Sequence, residues 1–183
     1  MVRIVLLILC MLPLKERFGV DENASDLPAH IIKKIEKEVS KFYDSSDFVL
    51  ETRIDAPETQ IKSPFLVQGR LFEIMDNSKS LGYAFYGVAP SRTDTFDYLL
   101  ILDQNFVLIK AKILIYREDY GGEISSKRWL SQFYEKPLNT QFQVGESVSG
   151  ISGATISVRS MTQSVNVVFS FLKNQNILHE SSD

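Results

Sequence analysis

Six residues in the last quarter of the chain, Ser152-Gly153-Ala154-Thr155-Ile156-Ser157, combine approachable backbone with hydroxyl donors. Just beyond them Val158, Met161, Val165, Val168 and Leu172 recur at helical spacing to about Lys173, so the stretch stands where a helix begins. A helix start carries unpaired N–H groups and the positive end of the helix dipole, which together receive phosphate readily. Gly153 and Ala154 let a bulky anion come close, Thr155 and Ser157 add hydroxyls, and Ser160 follows one turn later. The same residues also suit a plain helix start, with Ser152 or Thr155 as N-cap and Gly153 closing a turn. Residue types alone leave both readings open.

Elsewhere the chain offers little other chemistry. Its two histidines, His30 and His179, have no metal-ligand neighbour at useful spacing. Neither a Gly-x-Gly-x-x-Gly fingerprint nor a Walker-type loop occurs. Ser170 to Lys173 matches the Ser-x-x-Lys pattern, but it falls near a helix end among core residues, where that nucleophile does not belong. Asn23-Ala24-Ser25 is a glycosylation sequon, meaningful only in a source that glycosylates. A net charge of -3 gives no electrostatic case for nucleic acid. The single cysteine, Cys10, lies in an N-terminal apolar run from Ile4 to Leu14 that follows Arg3. That run has the length and flanks of an export signal or anchor, so residues 1–20 are set apart from a single domain over 21–183. Removal of the segment would leave a mature chain with neither disulfide nor thiolate chemistry.

The elements that must position the small-residue stretch follow from periodicity. Leu27 to Tyr43 reads as an amphipathic helix, with Asp26 as its cap, Pro28 in its first turn and a stripe of Ile32, Ile35, Val39 and Phe42. Signals from Asp44 to Ser63 are mixed. Two hairpins follow, one turning at Asn77–Ser80 and one at Gln104-Asn105. In the last strand Val107, Ile109, Ala111, Ile113 and Ile115 alternate with Lys110 and Lys112. Gly121-Gly122 breaks the chain, and Ser125 or Ser126 caps a short helix carrying Trp129, Leu130 and Phe133 inward. The order predicts an α+β fold, an antiparallel sheet with packed helices.

"ISGATIS" resembles the flavin-attachment motif of the FMN-binding domain family, whose members occur in the sodium-pumping NADH:quinone reductase and in the Rnf electron-transport complex. "ILIYREDYGG" is similar to that family's strand ending in an acidic, glycine-containing loop. "RWLSQF" is similar to its short aromatic helix, and "LGYAFYGVA" to its glycine-tyrosine strand. The resemblance covers about residues 66–173, and only the first motif is specific. There are two departures. Ser149 stands where the family usually has aspartate, and Glu118 continues as Asp119-Tyr120-Gly121 rather than Thr-Pro-Gly.

The resemblance implies FMN as cofactor, carried on Thr155 through a phosphoester that a flavin transferase places. Ser152, Gly153, Ala154 and Ser157 would surround the phosphate, and Glu118, Tyr120, Gly121 and Gly122 would form the loop beside the flavin. Among the aromatics, Tyr83, Tyr86, Tyr120 and Trp129 are candidates to flank its ring. The implied role is an exported electron carrier working with membrane redox partners, with no substrate turnover of its own. A flavin reductase holding FMN non-covalently and a cofactor-free exported binding or assembly module are the alternatives.

Overall fold

A computed structural model describes residues 27–56, 63–66 and 68–174. Helix α1 (Ala29–Tyr43) leads into five strands: β1 (Val49–Ala56), β2 (Gln68–Asp76), β3 (Lys79–Pro90), β4 (Thr95–Leu102) and β5 (Leu108–Tyr116). They form one antiparallel sheet in the order β1-β2-β3-β4-β5, so every strand pairs with its sequence neighbour. A 3₁₀ turn at Gly122–Ser125, the short helix α2 (Lys127–Leu130), a 3₁₀ turn at Ser131–Phe133 and the long helix α3 (Thr155–Asn174) complete the described chain. The fold is α+β, as the order of the elements predicts. The apolar run before residue 20, the Asp26 cap and the sequon at Asn23 lie outside the described residues. None of the described helices is long and apolar enough to cross a membrane.

Both faces of the sheet are covered. α1 lays Ile31, Ile32, Ile35 and Val39 on one face, against Leu50, Phe72, Ile74, Ala84, Leu99 and Ile101. α3 lays Val158, Met161, Val165, Val168, Phe169 and Leu172 on the other, against Leu71, Phe85, Phe96, Tyr98 and Leu100. Burial on two sides explains why β4, the fourth of five strands, reads as an almost continuous apolar run rather than an alternating one. Phe42 departs from the expected stripe. It sits at the margin of α1's apolar face, 37% exposed beside Lys110 of the outer strand β5, while Ile31 takes the buried position. β1 is the element that the mixed signals concealed. As an edge strand it carries three consecutive polar residues, Glu51, Thr52 and Arg53, beside a register shift, and Arg53 pairs with Glu73 across to β2.

β5 is where local pattern and structure part. Its register against β4 slips twice, between the partners of Ile101 and Leu102 and between those of Asp97 and Tyr98. Each slip places one extra residue on β5, and each reverses the side-chain phase. Ala111 and Ile113 therefore share the α3 face with Leu108 and Tyr116, while Ile109, Leu114 and Ile115 pack on the α1 side. The expected single face of Val107, Ile109, Ala111, Ile113 and Ile115 does not exist. Its strict alternation assumed an uninterrupted ladder.

The loop between α2 and α3 is tied down by one buried amide. Asn166 of α3 accepts from the Phe142 N–H and donates to the Phe142 carbonyl, both at 2.9 Å. Close packing within the sheet is equally specific. A Cβ on Gly87 would lie 2.3 Å from the ring of Tyr98, its cross-strand partner. Gly87→Ala is expected to destabilise the fold by about 1–3 kcal/mol through overpacking, measured as a lowered midpoint in denaturant.

Candidate functional site

The segment Ile151 to Ala154 makes a turn before α3. The Ala154 N–H donates to the Ile151 carbonyl at 3.2 Å, and Gly153 sits inside it with φ +80°. That conformation requires glycine, because L side chains rarely adopt it. Nothing lies within 4 Å of a Cβ built there, so the backbone at Gly153 is open. The first α3 bond runs from the Val158 N–H to the Ala154 carbonyl at 2.9 Å, which makes Ala154 the residue flanking the helix. Neither Ser152 nor Thr155 caps it, contrary to the plain helix-start reading. Thr155 is the first helical residue, and Ser152 is exposed in the preceding turn.

Alanine is a poor N-cap, costing about 1 kcal/mol relative to Ser, Thr, Asn or Asp. The reason for it here is tertiary. Gly121 takes φ +76°, and a Cβ on it would lie 2.6 Å from the Ala154 Cβ. The loop after β5 is thus seated directly on the helix start, and a side chain on Gly121 would overlap Ala154. Ala154 is itself buried, and its smallness serves this contact. The result is a helix start whose amides at Thr155, Ile156 and Ser157 have no protein acceptor among the described residues. Such amides and the dipole behind them attract an anion.

Two further devices hold the loop in place. The second β5 bulge turns Tyr116 onto the α3 side, where its hydroxyl lies 3.1 Å from the Ser157 hydroxyl. Ser157 is therefore buried and engaged, whereas Thr155 is exposed. Glu118 turns the other way and fastens the β3–β4 turn. Its carboxylate accepts from the Ser91 hydroxyl at 2.6 Å, the Thr93 N–H at 2.7 Å, the Thr93 hydroxyl at 2.9 Å and the Asp94 N–H at 3.3 Å. Those donors, the Ser91 hydroxyl foremost, hold Glu118 down to about 2.

Three segments converge in this way on an open cleft of about 530 Å³. Glu118, Tyr120, Gly153, Ala154, Thr155 and Ser157 line it, and Gly121 lies behind Ala154 as its support. Ser152 and Gly122 are exposed outside the lining. The sequence pattern did not point to Arg92, Thr93, Tyr116, Asp119 and Ile156, which also line the cleft. Arg92 matters most, because it is the one cation among the lining residues. Its local signal was only a polar turn, and the Glu118 clamp that brings it here spans more than 20 residues of chain. Three of the four candidate aromatics do not face the cleft. Tyr83 is buried and stacked on Phe106, Tyr86 is buried with its hydroxyl on Asp97, and the Trp129 indole donates to the Ser149 carbonyl. Tyr120 remains, 81% exposed at the cleft mouth.

Ser149 faces elsewhere. Its N–H and hydroxyl both donate to the Gln132 side-chain oxygen at 2.8 Å, and it lines a separate cleft with Glu123, Arg128 and Trp129.

Two measurements check this assembly. Gly121→Ala is expected to cost roughly 2–4 kcal/mol, from overpacking on Ala154 and from its positive φ. Adding Ala154→Gly should recover the packing part only, read as denaturation midpoints of the two variants. Glu118 stabilises the fold fully above its ordinary value of roughly 4.3, and that stabilisation is lost as pH falls toward about 2. The stability difference between the wild type and Glu118→Gln should therefore shrink over that acid window and stay constant above it.

No curated protein matches the chain. A family model does: residues 94–170 match that of the FMN-binding domain, a span that runs from the β3–β4 turn through most of α3 and contains nearly all of the cleft lining. The cofactor which that domain indicates is FMN. Open amides, nearby Arg92 and a cleft in the size range of cofactor sites suit its phosphate end. Over residues 94–170 this chain is thus similar to the FMN-binding domain family, and the matched domain suggests a flavin-binding protein.

Proposed function

We propose that the protein carries FMN covalently on Thr155 and serves as an electron carrier on the extracytoplasmic side of a membrane. The observation that carries this reading is the exposed Thr155 hydroxyl on the first residue of an uncapped helix, inside the cleft. Of the other hydroxyls in the motif, Ser157 is buried against Tyr116 and Ser152 lies outside the cleft lining. The amides of the first α3 turn and Arg92 would receive the phosphate. Gly121 and Glu118 would keep the loop and the β3–β4 turn in position, and Tyr120 and Ile156 would offer apolar surface to the ring. FMN supplies the redox chemistry, and the protein supplies placement and surroundings.

Export and tethering belong together in this proposal. The segment 1–20 would act as signal or anchor, and a protein outside the cytoplasm would lose a dissociable flavin by dilution. A phosphoester placed by a flavin transferase retains the cofactor without demanding high affinity. Membrane redox proteins are the proposed partners. The family's acid is replaced by Ser149, but Glu123 keeps a carboxylate in the cleft that Ser149 lines.

That replacement also motivates a second reading, a flavin reductase with FMN held non-covalently in the same cleft. Production alongside a flavin transferase, followed by acid precipitation, separates the two. Flavin fluorescence retained in the precipitate, and abolished in Thr155→Val, is the outcome expected for attachment. Flavin released intact, with NAD(P)H oxidation by the purified protein, would establish the second reading. A colourless native protein would reject both and leave an exported binding module. Intact mass of the native protein reports cleavage of the N-terminal segment in the same measurement.

A further inference from the structure

A second concave surface lies away from the flavin cleft, where the C-terminal end of α1 meets the outer edge of β5 and the start of α2. It encloses about 540 Å³. Its apolar lining comes from Phe42, Ile109, Ala111, Leu130 and Tyr134, and Lys41, Lys110, Lys112 and Lys127 line it as well. Glu38 is the one acid among the lining residues, and it is already paired with Lys110 at 3.4 Å. No carboxylate among the described residues pairs with Lys41, Lys112 or Lys127. Three lysines with no carboxylate partner among the described residues thus line one groove of a chain whose net charge is -3.

Ordinary structural roles account for part of this. Lysines on an outer strand discourage strand addition, which suits Lys110 and Lys112, and a cation in the last turn of α1 complements its dipole, which suits Lys41. Neither role explains Lys127 from a third element, nor Phe42 left 37% exposed among them. An apolar floor beneath these lysines is complementary to a ligand that is both acidic and apolar. We propose that this groove docks an acidic, amphipathic segment of a partner protein, its carboxylates on Lys41, Lys112 and Lys127 and its apolar side chains on Phe42 and Tyr134. The recess favours a peptide over an anionic bilayer, since a broad planar surface does not reach the floor of a cleft. Docking there depends on the groove alone and does not require a bound flavin.

The test uses the whole chain, isotope-labelled, and a synthetic peptide of alternating glutamate and leucine as probe. Backbone shifts are expected at Phe42, Lys110–Lys112 and Lys127, with affinity falling as salt rises. Replacing Lys41, Lys112 and Lys127 together by glutamine should weaken binding about tenfold. Phe42→Ser should weaken the glutamate–leucine peptide while leaving polyglutamate unaffected. Shifts scattered over the surface, unchanged affinity in the triple variant, or binding to phosphatidylserine vesicles in preference to the peptide would each overturn the proposal. Because the lysine variant alters only solvent-facing ends, an unchanged spectrum elsewhere shows that loss of binding is not loss of fold.

Discussion

The contact between Gly121 and Ala154 is the constraint on which the candidate site depends. Two backbones approach so closely there that a single added methyl would overlap its neighbour. That closeness puts alanine where a helix normally places a capping side chain, and it leaves the first amides of α3 without an acceptor among the described residues. An anion-receptive helix start is thereby produced by packing rather than by any residue that binds anions. Stability given up at the cap is available to a ligand, a common arrangement at functional sites.

The sheet makes that contact possible. Two bulges in β5 reverse its side-chain phase, and the second aims Tyr116 at Ser157. Glu118, two residues on, reaches back to Ser91, Thr93 and Asp94, so one short loop grips both the helix start and the β3–β4 turn. Arg117 between them points elsewhere and pairs with buried Asp97 at 2.6 Å. Three consecutive residues thus bond to three separate parts of the fold. Such cross-bracing holds a cleft open at the edge of a domain, where loops are otherwise free to move.

Charge is distributed unevenly. Around the candidate cleft Arg92 and the open amides of α3 face the carboxylates of Asp119 and of Glu118, the latter spent on hydrogen bonds. At the α1–β5 groove lysines surround an apolar floor. An overall acidic chain thus presents two concave surfaces of similar size with different charge, one mixed and the other rich in lysine.

Much of this was legible in residue order. The helix over residues 29–43, both hairpins, the inward Trp129, Leu130 and Phe133, and the core stripe of α3 all follow from periodicity and turn chemistry, which are local. The motif Ser152 to Ser157 identified the helix start and the cofactor that the family model indicates. What local pattern could not supply were relations between distant residues. Bulges depend on the partner strand, so the phase of β5 does not follow from its own alternation. Arg92 enters the cleft only through a hydrogen-bonded carboxylate far along the chain. Three tyrosine and tryptophan candidates proved to be core, because exposure is settled by what packs on a residue and not by its type. Sequence alone determined every described element but β1 in outline, and pointed to the helix start as the place to receive an anion. Tertiary structure decided why Ala154 is small, which hydroxyl stays free, and which side chains share the cleft, because each of those is set by contacts between segments that sequence distance keeps apart.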